Sequence, residues 1–469
     1  MAATSTTLSR VFQIPPELTE HTLTLCHPRD VESFSQTCRK ARRLVYGSPD
    51  QYLWRQLFLL FPFDDPRLIS SPFQEDGQFN WRKELHRRME AQLIACRTSS
   101  TLEDLLKAIE TFISVVQSAA PVTWGHERVP SPNLLWVVEV LQSTNMLRYL
   151  PLLFSEEGNQ SLARLRAHLA LTLDEYDDDD VEGKERLKSI RTRSRCQVYD
   201  LRNYHQDNDW GPFNIIARDV DWTHIESIIN VVSMNLSDRL NDWPDTRPRY
   251  GLEATRAYSA PGTTSLATGD WAGIEGHWRR YVCFMDYRYD FCLPSIRPTL
   301  NCLAVPSEIC LYGNRGHGQR DGTYFDTPHF EEAMRLIELK LTLIDAQTIP
   351  EVYTLGHFPD SPYTHYPTLY FTGSSWGIKG NEATVVGSVT MSEGGVVRWR
   401  FHELLQASIA NSHIQWSSEG VQIGGIASAF GVIGTWTGVH HDHGDPVGPF
   451  WLYKVEDDHP IYMRTLVNN

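Results

Sequence analysis

The hydrophobic period changes partway along this chain, and the change dictates two kinds of architecture. In the first two hundred residues apolar side chains recur every three or four positions. Beyond about residue 210 they alternate with polar ones. A period near 3.6 places apolar groups on one stripe of a helix, and a period of two places them on one face of a strand. Ile337, Leu339, Leu341 and Leu343 alternate with Glu338, Lys340 and Thr342. Val385, Gly387, Val389 and Met391 do the same, Ser392-Glu393-Gly394-Gly395 supplies a turn, and Val397, Trp399 and Phe401 then alternate with Arg398, Arg400 and His402. This pattern predicts a β-hairpin. Further strands are expected over 278–286, 368–372, 431–436 and 450–455, bounded by glycine, proline or aspartate. Many short strands joined by glycine-rich turns imply an antiparallel β-barrel or β-sandwich, so the fold class expected for the whole chain is α+β.

Residues 11–58 read as a compact helical cluster. Pro15-Pro16-Glu17 starts a helix, since proline is tolerated in the first turn and an acidic side chain suits the positive end. Leu18, Leu23 and Leu25 are too few to bury this helix in a large core. Asp30 is the expected N-cap of a second helix carrying Val31, Phe34, Cys38 and Ala41 on one stripe. Pro49-Asp50 interrupts the chain, and Tyr52, Leu53, Trp54, Leu57 and Phe58 close the cluster.

Ile14-Pro15-x-Glu17-Leu18, Asp30-Val31, Phe34, Thr37-Cys38-Arg39, Leu44 and Leu53-Trp54-Arg55 together resemble an F-box. Thr19, His21 and Thr22 depart from it, standing where that family is usually apolar. The resemblance implies a three-helix module that binds the Skp adaptor, and through it the cullin, of a Skp–cullin–F-box ubiquitin ligase. Such a module does no chemistry itself. It implies adaptor contacts at Ile14, Pro15, Leu18, Leu23, Val31, Phe34 and Cys38. In the β-rich half, Gly269-Asp270-Trp271-Ala272-Gly273 and Gly434-Thr435-Trp436-Thr437-Gly438 rhyme. With the F-box-like segment they resemble F-box-only proteins carrying a lipocalin-like barrel, whose tryptophan plugs the closed end. Long fungal F-box proteins with tryptophan-rich C-terminal halves are also similar. A β-sandwich in which both tryptophans are core residues remains the alternative.

The expected organisation is an F-box over 11–60, a helical spacer over 61–172, a charged linker over 173–196 and a β-rich recognition domain over 197–457, with the barrel from about 267. In the spacer, Thr101 and Asp104 form a capping-box pattern before the stripe Leu102, Leu105, Leu106, Ile109, Phe112, Ile113 and Val116. Asn133 and Ser161 are expected to open two more helices. The linker assignment rests on the acidic run 174–180, followed by scattered lysines and arginines, whose charges favour a solvated segment.

A formal charge of −15 argues against nucleic acid as a general partner, since phosphate binding needs concentrated positive surface. The eight cysteines form no CxxC pair and no tight framework, which points to a reducing compartment, cytoplasmic or nuclear. No signal-peptide core and no apolar run of membrane-spanning length occurs, so no membrane partner is expected.

Chemistry-bearing motifs are sparse. Gly-x-Ser-x-Gly, the phosphate-cradling loop and the dinucleotide fingerprint are missing, and no cofactor is called for. On a strand His441, His443 and Asp445 would share one face and offer a metal-dependent hydrolase two imidazoles and a carboxylate. Pro446 stands where the similar metallo-β-lactamase motif has its next histidine. The expectation is therefore a non-catalytic receptor for an unidentified target protein. Trp271, Trp436, Arg279, Arg280, Arg398 and Arg400 are its candidate target-binding residues, because aromatic and arginine side chains dominate interface energetics and cations favour carboxylate-bearing partners. A barrel holding a small apolar ligand is a third reading.

Overall fold

A computed structural model describes residues 12–67, 79–97, 100–120, 131–144, 146, 156–169, 181–214, 219–238, 269–285, 322–326, 330, 332–349, 361–377, 382–392, 394–405, 413–424, 426, 430–441 and 445–455. The chain divides into two compact units, residues 1–120 with 130–153, and residues 121–129 with 154–469.

The first unit is helical: α1 (Pro16–Thr24), α2 (Pro28–Thr37), α3 (Arg39–Tyr46), α4 (Tyr52–Leu60), α5 (Trp81–Cys96), α6 (Leu102–Gln117) and α7 (Pro132–Ser143). As expected, α1 begins behind Pro15 with Glu17 in its first turn. The second helix starts earlier than expected, because the His27 ring accepts a hydrogen bond from the Arg29 amide and Pro28 occupies the first turn, leaving Asp30 inside the helix. Cys38 is not part of a continuous stripe. It is extended between α2 and α3, and its sulfur caps the Ala41 amide at 3.4 Å. Leu23, Val31, Ala41, Val45, Leu53, Trp54, Leu57 and Phe58 form a closed core, and Trp54 Nε1 donates to the Val45 carbonyl at 3.1 Å.

This core continues into α5–α7. The Arg88 guanidinium lies 4.8 Å from the Phe58 ring and 4.5 Å from the Phe63 ring, and donates to Asn133 Oδ1 at 2.7 Å. Asn133 also accepts from the Asp64 amide at 3.1 Å, so its side chain joins the turn after α4 to α7. It does not cap that helix; Ser131 does, accepting from the Leu134 amide at 3.3 Å. Thr101 Oγ1 caps α6 by accepting from the Asp104 amide, and Leu105, Ile109, Phe112, Ile113 and Val116 of the stripe are buried, with Leu106 half-buried. Leu102, placed on that stripe by spacing, is exposed because it stands in the first turn.

The second unit holds α8 (Glu156–Leu169), α9 (Val181–Val198), α10 (Trp222–Asp238) and a closed antiparallel barrel of β1 (Gly276–Met285), β2 (Glu332–Ile344), β3 (Leu369–Gly377), β4 (Glu382–Met391), β5 (Val397–Leu405), β6 (His413–Gln422), β7 (Val432–Gly438) and β8 (Val447–Val455). Ser161 lies inside α8 and starts nothing. The segment read as a charged linker is helical from Val181, because Ile190, Ser194 and Val198 recur every four residues and bury a stripe beneath the charges. Arg195 and Tyr199 bind the Glu332 carboxylate and tie α9 to β2. The acidic run itself lies outside the described residues.

Every strand pairs with its neighbours in chain order, and β1 closes onto β8 from His277 opposite Val455 to Val282 opposite Phe450, which makes the structure a barrel and not a sandwich. Alternation divides each strand. Trp278, Leu339, Phe371, Val389, Trp399, Phe401 and Phe450 fill the lumen, while Tyr281, Cys283, Leu336, Ile433, Trp451 and Tyr453 face outward into a second core with residues of α9 and α10. Strands buried on both faces lose polar alternation, and every residue of β7 is buried. The hairpin joining β4 and β5 turns where expected, with Ser392 donating to the Val396 carbonyl and Gly395 at φ 71°. Rings replace empty space at mid-barrel: a Cβ on Gly387 would come within 2.4 Å of Phe371 Cζ.

The base is sealed by residues 270–275. The Asp270 carboxylate accepts from the Ile274 and Glu275 amides, Ala272 and Ile274 are fully buried, and Trp278 Nε1 donates to the Ile274 carbonyl at 2.7 Å. The tryptophan plugging this end is therefore Trp278, on the first strand. Trp271, read as the plug from sequence, sits at the periphery with its Nε1 donating to the Pro367 carbonyl.

Candidate functional site

Two surfaces carry the residues singled out by sequence, one in each unit. On the first unit, Ile14 is 45% exposed, Leu18 56% and Leu25 74%. Leu18 lies on α1, Ile14 just before that helix and Leu25 just after it. Pro15 and Cys38 are exposed as well, and Phe34 is half-buried with its ring 6.0 Å from that of Phe12. Two members of the expected contact set belong elsewhere: Val31 is wholly buried and Leu23 nearly so, since both hold the helices to one another. Thr19, a departure from the family pattern, is also inside, and the departures His21 and Thr22 are exposed.

On the second unit the four arginines separate by face. Arg279 points outward from β1 and pairs with Glu338 at 3.1 Å, whereas Arg280 points into the lumen and pairs with Glu403 at 2.8 Å. Both are about 1% exposed, so neither forms the cationic rim expected of them. Burial lowers the Arg280 pKa, and the Glu403 carboxylate opposes that shift. Trp436 faces the lumen near the end opposite the seal, donates from Nε1 to the Cys283 carbonyl and meets Trp416 edge-on at 5.1 Å.

Arg398 and Arg400 lie on the outward side of β5, and here a cluster forms that the sequence does not announce. Arg400 hydrogen-bonds the Glu419 carboxylate on β6, Arg398 Nη2 donates to Asp209 Oδ2 at 3.0 Å, and Arg400 Nη2 is 3.5 Å from Asp209 Oδ1. The Arg398 guanidinium stacks on Phe213 at 3.7 Å. Burial pushes the Glu419 carboxyl up to about 7 against the pull of both arginines. Glu419 stands on a strand whose polar run conceals its burial, and Asp209 is 189 residues from Arg398 in sequence, so neither carries a local signal.

His441 belongs to this neighbourhood. Its ring stacks on Trp210 with centroids 3.7 Å apart and planes 6° from parallel, and burial beside Arg400 and His440 lowers its pKa to about 4. His443 lies outside the described residues, and so does the alternative triad it would complete with His441 and Asp445. Among the described residues no group of three His, Cys, Asp or Glu side chains is placed to hold a metal ion. Nor, among them, is any helix long and apolar enough to cross a membrane. In comparisons with known proteins, the chain matches no protein-family model, no curated protein and no solved structure.

Proposed function

We propose that this chain is a substrate-recognition subunit of a Skp–cullin–F-box ubiquitin ligase. The helices around α1–α4 dock the Skp adaptor, and the barrel unit presents the target. The subunit does no bond chemistry; it raises the local concentration of a target lysine near a thioester carried elsewhere in the complex. Its place of action is the cytoplasm, the nucleus or both.

The observation that carries this reading is the exposure of Ile14, Leu18 and Leu25. These side chains stay in water although the helices beneath them have a complete core of their own. Covering an apolar side chain that stands exposed contributes roughly 1–2 kcal/mol, so a partner recovers several kcal/mol from these side chains alone. The F-box-like register of the same segment names the partner.

The test is co-expression of the full chain with the Skp adaptor, comparing the parent with Ile14→Asp and Leu18→Asp. Both positions are exposed, so the variants fold, and each places a carboxylate in the apolar contact. Adaptor recovery is expected to fall at least tenfold for each. Equal recovery with parent and variants would refute the docking assignment.

A further inference from the structure

The strap over residues 204–213 brings an acidic side chain of the chain's own onto the arginine pair of β5. It is anchored at both ends: Tyr204 is buried and its hydroxyl donates to the Val198 carbonyl at 2.6 Å, while Phe213 is buried and bridges to Val220. Between the anchors, Asp209 and Trp210 adopt φ 55° and 53°, and His441, stacked on Trp210, adopts φ 50°. Four described non-glycine residues have positive φ, and three of them meet here. A bulky side chain is strained in this conformation, which persists only where surrounding contacts impose it.

The two carboxylates serving the arginines differ in kind. Glu419 is built into the wall of β6, 5% exposed, and cannot leave without breaking the barrel. Asp209 arrives on a strained strap, and its side chain is about one third exposed. Glu419 alone carries at most one negative charge against the two guanidinium groups, and Asp209 brings a second carboxylate to them. A group recruited from outside the wall is the one an external ligand of the same chemistry can replace.

We propose that Arg398 and Arg400 form a docking site for an acidic, carboxylate-bearing segment of a target protein, and that Asp209 is its built-in competitor. The pair stands at alternate outward positions of one strand, about 7 Å apart, the spacing of alternate side chains on an extended peptide. An incoming Asp/Glu-rich segment takes over the bonds to Arg398 Nη2 and Arg400 Nη2, and the strap tip relaxes. Arginine also suits this role because its planar fork binds carboxylates at two points. The inference deepens the receptor reading and depends on it for biological context, but not for the binding itself.

The probe is fluorescein-labelled hexaglutamate, with hexaglutamine as control, titrated into the full chain. Asp209→Asn is expected to tighten hexaglutamate binding about tenfold, because the bound form no longer competes with a closed strap. Adding Arg400→Gln to that variant is expected to abolish the gain. On the unaltered chain, saturating hexaglutamate is expected to speed amide hydrogen exchange over residues 205–213, and hexaglutamine is not. Unchanged or weaker binding by a folded Asp209→Asn would overturn the proposal. So would binding to the parent without faster exchange in the strap, which keeps the test decisive should that variant fail to fold. Failure of adaptor capture with success here would remove the ligase context and leave the carboxylate site standing.

Discussion

Replacing Glu403 with alanine should destabilise the barrel severely, and the reason lies in what it abandons. Arg280 is 1% exposed in the lumen, with Nη1 donating to Glu403 Oε1 at 2.8 Å and Nη2 to Ser418 Oγ at 2.7 Å. The Phe401 and Phe450 rings flank the guanidinium at 4.9 and 4.6 Å. Aromatic faces and one hydroxyl do not replace a counterion, so Glu403→Ala leaves a buried, uncompensated cation and costs about 3–5 kcal/mol. That is a large fraction of the roughly 5–15 kcal/mol by which a domain is stable. Removing both charges reverses the expectation, because Arg280→Met with Glu403→Leu also removes the desolvation penalty. The double variant should lie between parity with the parent and a gain of about 1–4 kcal/mol. Equilibrium urea unfolding of the full chain, followed by near-ultraviolet circular dichroism, reads both changes as shifts of midpoint at constant slope. A loss below about 1 kcal/mol for Glu403→Ala would refute the reasoning, as would a double variant as unstable as the sum of its singles.

Two further outcomes follow from burial. His168 is 2% exposed, its Nδ1–H donates to the Arg164 carbonyl at 2.8 Å, and burial together with the Arg164 charge lowers its pKa from 6.5 to about 3. A folded pKa below the unfolded one gives stability that is present above pH 6.5 and lost as pH falls toward 3, so this residue should cost about 2 kcal/mol between pH 7 and pH 5. His168→Asn should flatten the dependence of the urea midpoint by that amount, and identical slopes would contradict it. Gly387→Ala should destabilise by about 1–3 kcal/mol, since its Cβ would meet the Arg400 carbonyl oxygen at 2.5 Å and Phe401 Cβ at 2.6 Å. An unchanged thermal midpoint would show that the lumen is less filled than the rings imply.

Local periodicity reads much of the division into helices and strands, since it depends only on which face of an element each residue meets, but it misses α10 (Trp222–Asp238), a helix inside the part expected to be strands. Val385 to Met391 and Val397 to Phe401 reveal their hairpin in this way, and Leu105 to Val116 reveal α6. The same signal fails where a polar residue is buried by a partner far away. Strand β6 escapes notice because Ser417, Ser418, Glu419 and Gln422 are buried among partners on other strands. Helix α9 is misread because its charges obscure the stripe of Ile190, Ser194 and Val198. Arg279 and Arg280 look alike in the chain, yet a pleat sends one outward to Glu338 and the other into the lumen.

Closure of β1 onto β8, and the meeting of Asp209 with Arg398 and Arg400, depend on contacts between residues more than a hundred positions apart. Such contacts leave no periodic trace, because either partner alone is compatible with an exposed position. Most of the elements follow from the local spacing of apolar side chains, and the surfaces they present follow from three-dimensional pairing, which decides whether a charge meets water, a counterion or neither.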